Sequence, residues 1–145
     1  MKNWKLVLPL CLLGPLMGAL MVMGVFPEGS DRFAWSAVIG LTAYLCARYE
    51  REHALLHGAV IGFWNGASAT LVQALFLDTM AKNNPYVIEK FASKPAGFDL
   101  EYFVFMLVPF IGVTGGGMTG LLAMLAARVM SFREQAASPR KGNHP

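Results

Sequence analysis

The chain has 145 residues, of which 55% are hydrophobic and only 14% are charged, and its mean hydropathy is +0.47. This composition leaves too little polar surface to cover a water-soluble domain around the apolar segments. The net charge of +3 is spread over helix ends and the C-terminal tail, which excludes a basic surface suited to nucleic acid. We therefore expect one integral membrane domain, residues 1–135, followed by a flexible cytoplasmic tail, residues 136–145.

Four segments have the low charge expected of membrane-spanning helices. Roughly 20 apolar residues in a helix cross the hydrocarbon core of a bilayer. Three segments of about this length or longer contain no Asp, Glu, Lys, Arg or His: Leu6–Pro27, Gly58–Leu77 and Tyr102–Ala127. A fourth, Phe33–Ala47, is shorter, but the arginines that flank it can extend their side chains to the interface. The predicted spans are residues 5–27, 32–49, 55–78 and 100–130. The expected fold is therefore an all-α integral membrane four-helix bundle.

The basic residues that flank the spans predict the orientation, because short loops rich in Lys and Arg stay on the cytoplasmic side. With both termini inside, the cytoplasmic segments hold Lys2, Lys5, Arg48, Arg51, Arg128, Arg133, Arg140 and Lys141, and the outer loops hold Arg32, Lys82, Lys90 and Lys94. This split of 8 to 4 among the 12 basic residues favours a multi-pass protein of the cell membrane with cytoplasmic N- and C-termini.

A sequence repeat relates the second span to the fourth. The segment Gly40-Leu-Thr-Ala-Tyr-Leu-Cys-Ala-Arg48 aligns with Gly120-Leu-Leu-Ala-Met-Leu-Ala-Ala-Arg128, and two thirds of the positions are identical. The first and third spans share the shorter pattern Gly-x-x-x-Gly-Ala, which begins at Gly14 and at Gly62. Self-similarity of this kind predicts a duplicated helical hairpin. The alternative is chance, since apolar helices draw on few residue types.

Glycines recur every four residues in three of the spans and predict close helix packing. In lipid, small residues allow two helix backbones to approach, and this contact favours association where burial of apolar groups gains little. The helix-packing residues expected from the spacing are Gly14, Gly18, Gly58, Gly62, Gly66, Gly112, Gly116 and Gly120. We expect these glycine-rich faces to mediate self-association or packing within a larger membrane complex.

Polar side chains in the third and fourth spans support two interpretations. Asn65 and Gln73 share the small-residue face of the third span, which favours hydrogen bonds to neighbouring helices. The alternative is a small transporter or channel with a path lined by Asn65, Ser68, Gln73 and Thr114. The adjacent glycines Gly115–Gly117 predict a local kink. Close packing there is the preferred interpretation, and unwinding that exposes carbonyl groups is the alternative.

The connection between the third and fourth spans predicts a short helix on the outer membrane surface. Asn84 can cap this helix, and Pro85 suits its first position, where a missing N–H costs nothing. The predicted helix, Pro85–Ser93, has one apolar and one polar side. We interpret the connection as a linker, with a lid as the alternative.

Few residues suggest metal binding or catalysis. Glu50, His53 and His57 have the i, i+3, i+7 spacing that aligns side chains on one helix face, so they are the candidates for zinc or non-haem iron. The more ordinary interpretation of this segment is a charged turn at the membrane interface. Cys11 and Cys46 are expected to pack near the cytoplasmic side, where a disulfide would be reduced. We predict no catalytic residues, no cofactor and no metal.

The glycine-spaced third span is followed by Phe76-Leu-Asp-Thr-Met-Ala-Lys-Asn-Asn-Pro85. Together with the four spans and the size of the chain, this arrangement resembles small bacterial membrane proteins classed only as domains of unknown function. The resemblance implies a bacterial inner-membrane location and transfers no catalytic residue. The sequence thus predicts a non-catalytic membrane protein whose partners are the lipid bilayer and either a second copy or a larger complex. The alternatives are the transporter or channel and a metal-dependent membrane enzyme.

Overall fold

The computed structural model describes residues 4–89 and 99–137, which form helices joined by short turns. The α-helices are α1 (Trp4–Cys11), α2 (Leu13–Val22), α3 (Asp31–Tyr49), α4 (Ala54–Leu75), α5 (Leu77–Asn83), α6 (Pro85–Glu89) and α7 (Leu100–Ala137). A short 3₁₀ helix, Arg51–His53, joins α3 to α4. Over the described residues, the all-α prediction is confirmed.

Three helical segments are long and apolar enough to cross a membrane: Lys5–Val22, Arg51–Leu75 and Leu100–Ala137. They correspond to the first, third and fourth predicted spans. The second predicted span forms α3, a helix of 19 residues that does not reach the same hydropathy, because it includes Asp31, Arg32 and Arg48. The structure therefore supports three membrane-length apolar helices. That α3 also crosses the membrane remains a prediction.

The first predicted span, residues 5–27, is two consecutive helices rather than one. Pro15 has no N–H group, and its ring clashes with the carbonyl group four residues earlier, at Cys11. The helix is interrupted at Leu12, which separates α1 from α2. α2 ends two residues before Gly24, whose φ of +70° is rarely adopted by a residue with a side chain. The helical part of the span is therefore shorter than predicted.

Two further predicted elements change at their ends. The third span, predicted over residues 55–78, is interrupted at Phe76, whose φ of −119° and ψ of 32° lie outside the helical region, and α4 gives way there to α5. The predicted surface helix, Pro85–Ser93, begins as α6 at Pro85. Its last residues lie outside the part of the chain that the structure describes.

The fourth predicted span, residues 100–130, is one continuous helix that extends further than predicted. α7 remains helical at Pro109 and through Gly115–Gly117, so the unwound segment considered above is not present. The helix continues to Ala137, so the beginning of the expected flexible tail is helical. The rest of that tail lies outside the described residues.

α4 and α7 are antiparallel neighbours with the most extensive contact in the bundle. Their contacts run in opposite directions along the two helices: Gly58 lies against Gly120, Gly62 against Gly115 and Gly66 against Gly112. α2 packs against α4, and α3 packs against both α7 and α4. We call the end of the bundle that holds the 3₁₀ turn the α3–α4 end, and the opposite end the α5–α6 end.

Small and aliphatic residues form a core at the α3–α4 end. Its buried members are Val7, Leu10, Ala43, Cys46, Ala47, Ala54, Ile61, Ala123 and Ala127. Cys46 is fully buried, and Cys11 packs against this core, so both cysteines pack as expected. Both are free thiols.

The segments aligned by the sequence repeat occupy different surroundings. A side chain at Gly120 would meet the Leu55 carbonyl oxygen at 2.7 Å, whereas Gly40 is exposed, with nothing within 4 Å of the added atom. The hairpins that contain them also differ, since α4 and α7 pack closely while α2 and α3 make few contacts. The two halves of the proposed duplication are therefore not packed equivalently.

Candidate functional site

The eight glycines expected to pack helices are all buried, and their contacts lie within the chain. An added Cβ at Gly62 would lie 2.6 Å from Thr119 Oγ1, and one at Gly66 would lie 2.7 Å from the Ile111 carbonyl oxygen. An added Cβ at Gly116 would lie 2.7 Å from the Ala59 carbonyl oxygen. We call this contact between α4 and α7 the glycine seam. It leaves no room for a methyl group, because atoms at these distances overlap.

A second glycine contact joins α2 to α4. An added Cβ at Gly14 would overlap the Asn65 Cα, and one at Gly18 would lie 2.8 Å from the Ala69 carbonyl oxygen. Together with the glycine seam, this contact accounts for all the expected glycines inside a single chain. These faces are therefore occupied by contacts within the chain and offer no free surface to a second copy, in contrast to the role in self-association predicted from the glycine spacing.

Asn65 joins α4 to the break in the first span. Gly14 lies in the first turn of α2, where backbone N–H groups have no acceptor in their own helix. The Gly14 N–H instead donates a hydrogen bond to Asn65 Oδ1, with 3.0 Å between the nitrogen and the oxygen. Because the donor is a backbone N–H, the acceptor must be the amide oxygen, which assigns the orientation of the Asn65 side chain. Its Nδ2 makes no hydrogen bond within the described residues.

A cavity of about 350 Å³ lies between α3, α4 and α7, beside Asn65. Its wall is formed by Trp35, Val38, Ile39, Thr42, Gly62, Asn65, Gly66, Ile111, Thr114, Gly115, Met118 and Thr119. Most of these side chains are apolar, and none carries a charge. The volume falls within the range of small-molecule sites in proteins, which are mainly apolar with a few polar groups.

Among the serine and threonine hydroxyls of α3, α4 and α7, Thr42 is the one that makes no hydrogen bond to the described residues. Hydroxyls within helices commonly donate to a carbonyl oxygen of the preceding turn. The other serines and threonines of α3, α4 and α7 do so: Ser36, Ser68, Thr70, Thr114, Thr119 and Ser131. Thr42 is 1% exposed, and its Oγ1 has no partner within residues 4–89 and 99–137. An unsatisfied buried hydroxyl costs about 1–3 kcal/mol, so a site with an unmet hydrogen bond lies in the cavity wall.

The structure separates the residues of the predicted polar path. Asn65 and Thr114 share the cavity, whereas Gln73 donates from Nε2 to the Met21 sulfur at 3.2 Å, outside it. Ser68 is bonded to the Trp64 carbonyl oxygen of its own helix. Two of the four residues are therefore together. Thr42 and Thr119, which complete the polar part of the wall, were missed because hydropathy does not indicate which face of α3 meets α7.

The candidate metal ligands do not form a site. Glu50 lies between α3 and the 3₁₀ turn, with φ of −131°, so the single helix face assumed from the spacing does not exist. His57 Nδ1 is 3.1 Å from the His53 carbonyl oxygen, and its Nε2 is buried without a partner in the described residues. Among these residues, no group of three metal-ligating side chains is suitably placed. The structure of the described residues therefore gives no support to the hypothesis that Glu50, His53 and His57 bind a metal.

At the α5–α6 end, two asparagines hold the last carbonyl groups of α2. Asn84 Nδ2 donates to the Met21 carbonyl oxygen at 2.8 Å, and Asn83 Nδ2 donates to that of Val22 at 2.8 Å. The Tyr86 hydroxyl donates to Asn84 Oδ1 at 3.4 Å. Burial raises the pKa of Tyr86, and the carboxylates of Asp31 and Glu28 raise it further. The asparagine predicted to begin α6 thus also anchors α2.

At the α3–α4 end, an ion pair ties the turn to the last part of α7. Arg51 Nη1 and Nη2 lie 2.6 and 2.7 Å from the two carboxylate oxygens of Glu134. Both side chains are exposed, so solvent and salt weaken their attraction. The pair fixes the position of the C-terminal turns of α7 more than it adds stability.

Comparison of the chain with protein-family models, with curated proteins and with solved structures gave no match.

Proposed function

We propose that the chain is a non-catalytic multi-pass protein of the bacterial cytoplasmic membrane that associates through the exposed face of α3, either with a second copy or within a larger membrane complex. Its three apolar membrane-length helices support the location. In this proposal both termini are cytoplasmic, and α3 crosses the membrane in addition to the three apolar segments. The observation that carries the proposal is the open surface around Gly40, in a helix of lower hydropathy than the other spans.

Part of the surface of α3 is packed against the bundle, and a neighbouring stripe is open. Thr42, Ala43, Cys46 and Ala47 are buried toward the rest of the bundle. Ser36, Gly40 and Tyr44 follow one another at intervals of four residues and are exposed.

In a bilayer, an exposed stripe with small and hydroxyl-bearing residues favours a second helix over lipid, because the backbones can approach closely. A glycine with nothing within 4 Å leaves room for this approach. The glycine seam is already filled, so the surface proposed for association is the face of α3 rather than the faces of α4 and α7.

The experiment is native mass spectrometry of the protein released from a mild detergent, with Gly40→Leu as the test and Gly117→Leu as the matched control. Both glycines are exposed and neither has a neighbour within 4 Å of an added Cβ, so both variants should fold. We expect the wild type and Gly117→Leu to retain an oligomer or a companion subunit, and Gly40→Leu to lose it. A monomeric wild type, or an assembly that survives Gly40→Leu, would contradict the proposal.

A second candidate function is solute binding and transport, and it is favoured by the position of Asn65 and Thr114 in one cavity. Replacing Thr114 by Val would remove a hydroxyl from the cavity wall while keeping its volume. If the chain carries a solute, this variant should change solute flux in proteoliposomes without changing the oligomeric mass. An unchanged flux would leave association as the supported function.

A further inference from the structure

The cavity between α3, α4 and α7 carries two unused hydrogen-bond donors and no charge. Asn65 and Thr42 belong to its wall and are 3% and 1% exposed. The Asn65 amide uses its oxygen on Gly14, so its N–H₂ group remains to be paired. The Thr42 hydroxyl has no partner in the described residues. The cavity therefore lacks an acceptor that two donors of its wall can use.

The other hydroxyls of the wall do not pair with these two donors. Those of Thr114 and Thr119 donate to carbonyl oxygens within α7, at 3.0 and 2.8 Å, and among the described residues neither accepts a hydrogen bond from Asn65 or Thr42. A molecule that fits the wall must accept hydrogen bonds on the side of Asn65 and Thr42 and be apolar elsewhere. Val38, Ile39 and Ile111 form apolar parts of the wall.

Water and lipid chains meet this requirement poorly. A volume of about 350 Å³ has room for several waters, and every buried water needs two to four polar partners. The wall offers too few polar groups to satisfy them. A lipid acyl chain would satisfy the apolar part of the wall but leave both donors unpaired, at the full cost of burying them.

We propose that this cavity binds a neutral, planar, lipid-soluble molecule that carries a carbonyl oxygen, the chemistry of a quinone ring. The carbonyl oxygen accepts from Asn65 Nδ2 and from the Thr42 hydroxyl. Trp35 and Met118 contribute an indole ring and a polarisable thioether to the wall, and both groups pack favourably against flat rings. The absence of charged side chains from the wall favours a neutral molecule over an ion.

The first experiment titrates menadione into protein held in lipid nanodiscs and follows quenching of tryptophan fluorescence. The double variant Trp4→Phe/Trp64→Phe keeps only Trp35, which lines the cavity. The double variant Trp4→Phe/Trp35→Phe keeps only Trp64, which is 54% exposed on α4. We expect saturable quenching of Trp35, and quenching of Trp64 that rises only with partitioning of menadione into lipid. Quenching of the same form at both tryptophans overturns the proposal.

Two threonine variants, made in the background that keeps Trp35, test which groups recognise the carbonyl. Thr42→Val removes the unpaired hydroxyl at nearly constant volume, and we expect it to raise the dissociation constant about 2- to 10-fold, the effect of one hydrogen bond. Thr70→Val is the matched control, because the Thr70 hydroxyl is bonded to the Gly66 carbonyl oxygen and lies outside the cavity wall. Equal effects of the two substitutions overturn the assignment.

The need for a carbonyl oxygen is tested by competition. 2-Methylnaphthalene has the ring shape of menadione without its oxygens, so it should displace menadione from the Trp35 site far less effectively. Equal displacement would show that shape alone is recognised and would overturn the proposal. Gly40 does not belong to the cavity wall. Gly40→Leu should therefore leave menadione binding unchanged even if the oligomer is lost.

Discussion

The backbone N–H of Gly14 donates to the side-chain oxygen of Asn65 at 3.0 Å, at the point where the first span is broken. The break follows from Pro15, which leaves the first turn of α2 with N–H groups that its own helix does not pair. Asn65 comes from the middle of α4 and is 3% exposed, so the partner for this group is provided by a neighbouring helix rather than by water. The bond links the α2–α4 contact to the cavity wall.

Asn65→Ala should destabilise the protein by about 1–3 kcal/mol, because the Gly14 N–H would be left buried and unpaired. The measurement is the midpoint of unfolding by sodium dodecyl sulfate in mixed micelles, followed by circular dichroism. Gln73→Ala is the matched control: its amide bonds to the Met21 sulfur, a weak acceptor, so its loss should cost less. Equal losses for the two variants would count against a special role for the Asn65 bond.

Gly62→Ala should separate α4 from α7, since the new methyl group would lie 2.6 Å from Thr119 Oγ1 and 2.7 Å from the Gly115 carbonyl oxygen. We expect a loss of about 1–3 kcal/mol, typical of overpacking. Gly117→Ala, in the middle of α7 with open space around it, should instead gain about 1 kcal/mol from helix propensity. The same unfolding midpoints measure both, and a neutral Gly62→Ala would contradict the glycine seam.

Thr42→Val should raise the unfolding midpoint of the ligand-free protein, because it removes a buried hydroxyl that has no partner in the described residues. The gain expected is about 1 kcal/mol, part of the cost of leaving such a group unpaired. Thr70→Val removes a hydroxyl that is bonded at 2.9 Å, so it should not stabilise the protein. A lower midpoint for Thr42→Val would show that its hydroxyl has a partner in solution.

Asn84→Ala should destabilise the α5–α6 end more than Asn83→Ala does. Both side chains donate to terminal carbonyl groups of α2 at 2.8 Å, but Asn84 is 3% exposed and Asn83 is exposed. Water can therefore replace the hydrogen bond of Asn83 but not that of Asn84. The expected cost for Asn84 is about 1–3 kcal/mol. Hydrogen exchange of the Gly24 and Val25 amides should report the local loosening of this end, and equal exchange in both variants would contradict the difference.

Cysteine labelling in cells tests the proposed orientation. In a background of Cys11→Ala/Cys46→Ala, a membrane-impermeant maleimide should label Thr79→Cys in α5 from outside. It should reach Glu52→Cys, in the 3₁₀ turn, only after the membrane is permeabilised. Both positions are exposed, so access depends on the side of the membrane rather than on burial. The reverse pattern would invert the orientation derived from the basic residues.

The sequence by itself determined where the apolar helices lie and which of their faces carry small residues. Charge-free length and four-residue spacing are local properties of the chain, and the three apolar helices and the buried positions of Gly58, Gly62 and Gly66 follow from them. The start of α6 at Pro85 was predictable for the same reason, because the preference of proline for a first helical position depends on its own backbone.

Only the tertiary structure decided which surfaces meet. The glycine spacing on α4 suits α7 of the same chain as well as a second copy, and the choice depends on contacts far apart in sequence. The same is true of Asn65, which pairs with Gly14, and of Thr42, which is buried because α3 packs against α7 and α4. Glu50 shows the converse case: spacing predicted one helix face with His57, but the chain turns between them, so a pattern that assumes continuous helix geometry fails.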